Sequence, residues 1–344
     1  MITLVHKTLF VTNSISGGGA ERSVNLIGNG LFLAGHKVAI APINSAVLDE
    51  IQPKCQIFSI DRVWQSGILE TLAAFLRFSV IVQRWKPKTV VLNCDLPELF
   101  GALLFGKHKF VVVEHSHIPW AKHELLGRAV RGILKFRKCK FVGVSDQIRI
   151  WPNHSVPNQV IRNPVAPKVE EFDAFTSMTL RRLVFIGRLS REKNPIMALE
   201  IAKATSTDIL FIGDGPLKLD LVDSARGSEI KVNFTGWLEK PWSELHNGDL
   251  LLVPSLTEGD GLIAIEALQR GIPLLLSKIP SFESFLLPEL NYCADLGSFI
   301  QRINTFSETL TELVAPADIS DKILQTRSLD KILVEWASFL HDIN

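Results

Sequence analysis

The chain predicts an α/β protein of two doubly wound domains, and three observations carry that prediction. Apolar strand-like runs alternate with helix-period segments from end to end, the pattern of βαβ units whose parallel sheets are covered on both faces. The 344 residues are long for one domain, and at 47% hydrophobic and 21% charged they have the composition of a globular chain with a well-buried core. A polar segment at 166–179, after the run VIRNPV at 160–165, interrupts the alternation and reads as a linker. The expected organisation is an N-terminal Rossmann-like domain over 1–165, a second over 166–325, and a terminal helical stretch over 326–344.

The elements follow in order. In the first half, unbroken apolar runs place strands at 9–12, 37–41, 89–93, 110–114 and 140–144, with helices beginning near Ala20, Gln65, Leu96 and Lys122. In the second half, strands fall at 182–186, 208–212, 232–235, 250–253 and 274–277. Helices begin near Pro195, Leu217, Ser243 and Gly261, and a last one covers 329–340. The most apolar long segment, 69–82, is broken by Arg77 and reads as an amphipathic or buried helix. No run reaches the ~18 apolar residues of a membrane span, and the N-terminus lacks a secretory pattern, so a cytoplasmic chain is expected. Cys55, Cys94, Cys139 and Cys293 are scattered and form no ligand set; reduced, mostly buried thiols and no metal site are expected.

The net charge of +1 conceals an asymmetry. Residues 1–165 hold 20 Lys and Arg against 10 Asp and Glu, a net of +10, and the remaining 17 against 26 give −9. Arg128, Arg131, Lys135 and Lys138 are spaced as one face of a helix, opposite Leu126, Ala129, Val130, Ile133 and Leu134. Such a helix suits an anionic leaflet or the phosphates of a lipid-linked acceptor, and it equally suits a surface helix packed on its own sheet. Nucleic acid is not an expected partner, since no reading motif and no basic–aromatic interleaving occur.

Glu258 and Glu266 stand eight positions apart across the turn Gly259-Asp260-Gly261, which opens a helix at Leu262. A helix N-terminus suits a diphosphate, and a carboxylate further along accepts hydrogen bonds from ribose hydroxyls. Taken alone, the same residues also read as one capping and one solvated glutamate. The loop GGGAERS at 17–23, with Gly18 and Gly19, allows backbone amides to approach a ligand or is only a tight turn. It is not a dinucleotide fingerprint, because Arg22 stands where the third glycine belongs and the second strand ends without the ribose-binding acid. No P-loop occurs. Gly213 and Gly215 follow another apolar run and permit close approach of a nucleotide, or serve turn geometry.

These segments together resemble the retaining GT-B glycosyltransferases of the sucrose-synthase-like family 4. The resemblance covers about 8–285 and rests on GGGAERS, LFLAGHKVAI, VVVEHSH, VGVS, VIRNPV, FIGRLSREKN, FIGDGPLK and FTGW, followed by the Glu-x7-Glu pair. It implies two Rossmann-like domains facing across a cleft, the first for an acceptor, the second for a nucleotide-sugar donor, with the terminal helix returning to the first. It carries diphosphate binding onto Arg188 and Lys193, donor-sugar binding onto Glu258, ribose binding onto Glu266, and a place near the donor sugar onto His115, with His117 as its neighbour. Fixed cations would then replace a metal, and no cofactor is required. Asp260 departs from the family, which commonly has an aromatic or aliphatic residue there; it caps the helix or marks an unusual donor preference. The implied reaction transfers a sugar, most simply from a UDP-sugar, to a lipid-linked or surface glycan, at the inner face of the cytoplasmic membrane. A GT-B epimerase or phosphorylase, or a silent GT-B scaffold, are the alternatives.

Overall fold

Runs such as TLFVT and TVVLN are apolar enough throughout to be buried on both faces, and both form central strands. In the computed structural model, residues 6–15, 18–44, 54–63, 66–166, 175, 179–306, 313–314 and 317–343 are described. The chain divides into two compact units, residues 1–165 with 327–344, and residues 166–326.

The first unit is built on β1 (Thr8–Thr12), β2 (Val38–Pro42), β3 (Gln56–Ile57), β4 (Thr89–Asn93), β5 (Lys109–Glu114), β6 (Lys140–Gly143) and β7 (Gln159–Val160). They run in the order β3-β2-β1-β4-β5-β6-β7, every pair parallel. On one face α2 (Ile68–Trp85), α3 (Asp95–Leu103) and α4 (Glu124–Phe136) enclose a core containing Phe78, Phe100, Val130 and Leu134. On the other, α1 (Gly19–Leu33) packs with the terminal helix, Leu329–Asp342. Gly30 of α1 has no side chain because Leu333 occupies its space, and Trp336 meets Phe10 of β1 edge-on at 5.6 Å. The last helix therefore completes the hydrophobic cover of the first sheet.

The second unit holds β8 (Arg182–Ile186), β9 (Ile209–Ile212), β10 (Val232–Gly236), β11 (Asp249–Val253), β12 (Leu274–Ser277) and β13 (Tyr292–Cys293) in the order β10-β9-β8-β11-β12-β13, all parallel. Its helices are α5 (Pro195–Ala204), α6 (Lys218–Ala225), α7 (Leu262–Arg270), α8 (Pro280–Glu283), α9 (Leu296–Asn304) and α10 (Ala317–Gln325), so that the terminal helix is α11. The switch in strand order, where β8 lies between β9 and β11, brings the turns after β8 and β11 side by side; ligands of open α/β sheets bind outside the strand ends at such a point.

All ten strands read from apolar runs are strands. Sequence reading missed β3, β7 and β13, two-residue edge strands with no periodicity to detect. The helix expected near Ser243 is instead a 3₁₀ turn, Pro241–Glu244. Gly17, Gln65 and most of the linker segment lie outside the described residues. All four cysteines are free thiols, three buried and Cys94 half-buried. Among the described residues, no helix is long and apolar enough to cross a membrane.

Candidate functional site

In the second unit, β11 ends at Val253 and the chain turns through 254–261 into α7. Gly261 holds the cap position at φ +69°, a conformation that favours glycine, and its missing side chain makes room for the ring of Phe282. Asp260 is buried and stands one residue before that cap position, so the helix is not capped by Asp260 in the N-cap sense. Gly259 and Leu262 are half-buried on either side.

Glu258 is buried within this turn, and both its carboxylate oxygens accept from Lys193 Nζ, at 2.6 and 2.7 Å. Ser255 Oγ donates to Oε1 at 2.8 Å, and Ser281 Oγ donates to the Glu258 backbone carbonyl at 2.5 Å. Lys193 closes a 3₁₀ turn, Arg191–Lys193, that follows β8, and the Leu256 amide donates to the Glu192 carbonyl at 2.8 Å. The β8 and β11 loops are thus tied together by one charge-assisted pair and one backbone bond. Arg188 is exposed at the start of the β8 loop, and Arg191 is exposed as well. The structure brings Glu258 and Lys193 into contact and leaves Arg188 exposed on the same loop as Lys193.

Glu266 lies just over one turn into α7, only 8% exposed, and its Oε2 accepts from the indole Nε1 of Trp242 at 2.9 Å. Arg270, one turn on, stacks over the Trp242 ring at 4.8 Å and donates to the Glu266 carbonyl at 3.0 Å. Sequence reading missed Trp242, Ser255 and Ser281. Nothing in the local pattern marks a tryptophan 24 residues before its carboxylate.

The glycines of GDGP pack closely against the loop that follows β8. A side chain on Gly213 would strike the Gly187 carbonyl, and one on Gly215 the backbone of Leu189. Gly187 and Gly213 both have positive φ, and the Leu189 amide donates to the Asp214 carbonyl at 3.0 Å while the Leu217 amide donates to the Leu189 carbonyl at 2.9 Å. These glycines let the β8 and β9 loops pack backbone against backbone, which places the Arg188 segment.

In the first unit, Gly18 caps α1, and the carboxylate of Glu21 folds back into the space a side chain would fill there; Gly19 begins the helix and is exposed. A carboxylate in the first turn also suits the partial positive charge of the helix start. His115 follows β5 and is partly accessible at the surface, yet so crowded by protein atoms that burial pushes its imidazole down to about 4. Its Nε2 donates to Asn93 Oδ1 at 3.1 Å, while Asn93 Nδ2 donates to the Val11 carbonyl at 3.3 Å, so Nδ1 is the lone-pair nitrogen. His117 is half-buried two residues on. Despite the basic sequence, this edge is acid-rich: burial, with Glu21, Asp95, Glu98 and Glu114 nearby, pushes the Cys94 thiol well up.

The basic helix requires a correction. Arg131, expected on the outer face, is 1% exposed. It donates to Glu98 at 2.9 and 2.7 Å, to Glu114 at 2.5 and 3.3 Å, and to the Trp151 carbonyl at 2.8 Å. The buried face of α4 is Gly127, Val130, Arg131 and Leu134, a full i, i+3, i+4, i+7 stripe in which the arginine is accommodated by two distant glutamates. Leu126 and Ile133, expected inside, are exposed with Leu125 and Phe136, which are 85% and 90% accessible. Arg128, Lys135 and Lys138 are exposed; Arg128 pairs with Glu124 at 2.8 Å, and Lys138 lies just past the end of α4.

Residues 169–295 match the family described as Glycosyl transferases group 1. The sulfoquinovosyl transferase SQD2 of Arabidopsis thaliana is 25% identical over 237 residues, 60% of this chain and 46% of the plant enzyme. The Campylobacter jejuni GalNAc-alpha-(1->4)-GalNAc-alpha-(1->3)-diNAcBac-PP-undecaprenol alpha-1,4-N-acetyl-D-galactosaminyltransferase is 24% identical over 277 residues, 76% of each chain. The match thus spans about half the length of the plant relative and three quarters of the bacterial one. Among solved structures, sucrose-phosphate synthase from Thermosynechococcus elongatus superposes with a TM-score of 0.77 at 16% identity, covering 98% of this chain and 99% of its own. Anabaena HepE in complex with UDP and glucose gives 0.75 at 16% identity, covering 98% and 100%.

Proposed function

We infer that this chain, which carries a glycosyl transferases group 1 domain on a GT-B fold, is a retaining glycosyltransferase. Its donor is a nucleoside-diphosphate sugar, UDP-linked in the simplest reading, and its acceptor a lipid-linked or surface glycan. One observation carries the donor site: Glu258, anchored by Lys193 and Ser255 at the mouth of α7, stands eight residues before Glu266, itself fixed by Trp242. The start of α7 provides amides and partial positive charge for the diphosphate. Arg188 and Lys193 supply fixed cations for the charge that develops on the leaving phosphate, in place of a metal. Glu258 holds donor-sugar hydroxyls and Glu266 the ribose.

The chemistry follows from the leaving group. A diphosphate departs without strong protonation, so an acid of the glycosidase kind is not needed. The glycosyl carbon passes through an oxocarbenium-like ion pair, and the departing phosphate oxygen takes the proton of the attacking hydroxyl on the same face. His115, held neutral, offers Nδ1 as an acceptor to a sugar hydroxyl. The Campylobacter relative's name specifies an undecaprenol-diphosphate-linked saccharide, and HepE was solved with UDP and glucose; these support, for this chain, a lipid-linked acceptor and a UDP-sugar.

The test is a donor and acceptor screen, UDP- and GDP-sugars with undecaprenyl-diphosphate oligosaccharides, read by nucleotide release and by the anomeric configuration of the product. Arg188→Ala and Lys193→Ala should each lower turnover by roughly two orders of magnitude, as loss of one preorganised charge contact does, and activity should survive EDTA. Inversion of the anomeric centre, or activity abolished by EDTA and restored by Mn²⁺, would refute the mechanism.

A further inference from the structure

Trp242 does no work in that mechanism, yet it is buried and aimed at one of the mechanism's residues. It sits in the 3₁₀ turn Pro241–Glu244, where Pro241 presets the first position and the Leu245 amide returns to the Trp242 carbonyl at 3.1 Å. The backbone that carries the indole is therefore fixed before the side chain is considered. The ring is then held on its face by Arg270, 4.8 Å away, and at its edge by Glu266, 2.9 Å from Nε1. Both partners belong to α7, one turn apart, so the indole grips the helix at two points.

A buried indole needs only some acceptor for its N–H, and a backbone carbonyl would serve. Here the acceptor is an ionisable side chain with 8% of its surface accessible. A carboxylate can accept several hydrogen bonds, and the one from Trp242 fixes the plane of the group. Glutamate otherwise has several rotatable bonds to freeze on binding, and that ordering subtracts from affinity.

We propose that Trp242 is a positioning residue for nucleotide recognition: its indole N–H pre-orients the Glu266 carboxylate toward the two hydroxyls of the donor's ribose, so that it sets the preference for ribonucleotides over deoxyribonucleotides. This rests on the donor-site reading above, in which Glu266 meets the ribose. Trp242 touches no substrate and acts only through Glu266.

The experiment is calorimetric binding of UDP and GDP with their 2′-deoxy, 3′-deoxy and 2′,3′-dideoxy counterparts. Four proteins are compared: wild type, Trp242→Phe, Glu266→Ala and the double variant. Phenylalanine keeps an aromatic face beneath Arg270 and removes the N–H. The wild type should prefer the ribonucleotide by roughly ten- to hundredfold, the range of a hydrogen bond to a charged group. Glu266→Ala should bring that ratio near one, and Trp242→Phe should bring it well below the wild-type ratio with the affinity for the dideoxy nucleotide unchanged. In the Glu266→Ala background, Trp242→Phe should change nothing further. A purely structural tryptophan would weaken all nucleotides equally, and that result, or a wild-type ratio in Trp242→Phe, overturns the positioning role alone. A wild type that does not discriminate, or an undiminished ratio in Glu266→Ala, overturns the ribose assignment of Glu266 and the positioning role with it.

Discussion

Asn93 decides the state of His115. By accepting from Nε2 and donating its own amide to Val11, it fixes one tautomer of a ring that burial has already made hard to charge. The folded imidazole titrates at about 4, against 6.5 for the ordinary group. The unfolded chain therefore takes up this proton first as pH falls. Any stability that depends on the neutral ring is whole above about 6.5 and is lost as pH drops through 4. The imidazole resonances of His115, assigned by comparison with His115→Gln, should stay flat from pH 8 to 5.5. A midpoint near 6.5 would show that the ring is solvated and free to act as an acid. The strand-end histidine itself was legible in VVVEHSH. Its tautomer and its neutrality were not, because the first depends on a partner 22 residues away on another strand and the second on burial by the folded chain.

At the scale of elements, the informative case is α4. Period and polarity suggested that its cations all faced out, and three of them do, but Arg131 faces in. The spacing from Gly127 through Val130 and Arg131 to Leu134 is a sound buried stripe once Arg131 has partners, and those come from α3 and β5 at separations of 33 and 17 residues. No local pattern reveals such partners. Gly127 completes the arrangement, since a side chain there would collide with Trp120, whose indole also donates to Glu98 at 3.0 Å. The arginine consequently ties α3, α4 and the end of β5, immediately before His115. Two carboxylates share one guanidinium, and burial, aided by Glu98, pushes Glu114 up to about 7 even though Arg131 opposes the rise. Arg131→Met leaves both acids buried without their cation and should cost about 3–5 kcal/mol of stability at pH 8 in urea denaturation. The sign of the pH dependence follows from the raised carboxyl. Its contribution is complete below the ordinary 4.5 and is lost as pH rises through 7, so the variant should recover part of its stability at pH 5. A cost below about 1 kcal/mol at pH 8 would mean that the network does not hold these elements together. The strands tell the converse story: central ones declare themselves as apolar runs, whereas β3, β7 and β13 exist only because a neighbouring strand pairs with them.

For the whole molecule, the contrast of +10 against −9 between the two parts of the sequence was legible by counting, but the surface that would express it was not. The accessible part of α4 combines Leu125, Leu126, Ile133 and Phe136 with Arg128 and Lys135, and Lys138 follows directly. Apolar side chains flanked by cations are what an anionic bilayer interface accommodates, the first by burial and the second by attraction to headgroups. The first unit should therefore bind vesicles rich in anionic lipid through two separable contributions. Each positive charge near the surface contributes about 1 kcal/mol and is screened within a Debye length, so reversing Arg128, Lys135 and Lys138 to glutamate should remove the salt-sensitive part. Replacing Leu125 and Phe136 by serine should remove a part that salt does not touch. Arg131 is excluded from the reversal because it is buried, and its loss would report unfolding rather than docking. Co-sedimentation over a range of lipid charge and salt, with UDP affinity as the control, separates these effects. Both variants should bind UDP like the wild type, since Lys193, Trp242, Glu258 and Glu266 lie in the other unit. If the wild type stays in the supernatant at low salt, or if the charge-reversed variant still pellets fully, the basic surface serves something other than a membrane, with a phosphorylated soluble acceptor the next reading to test.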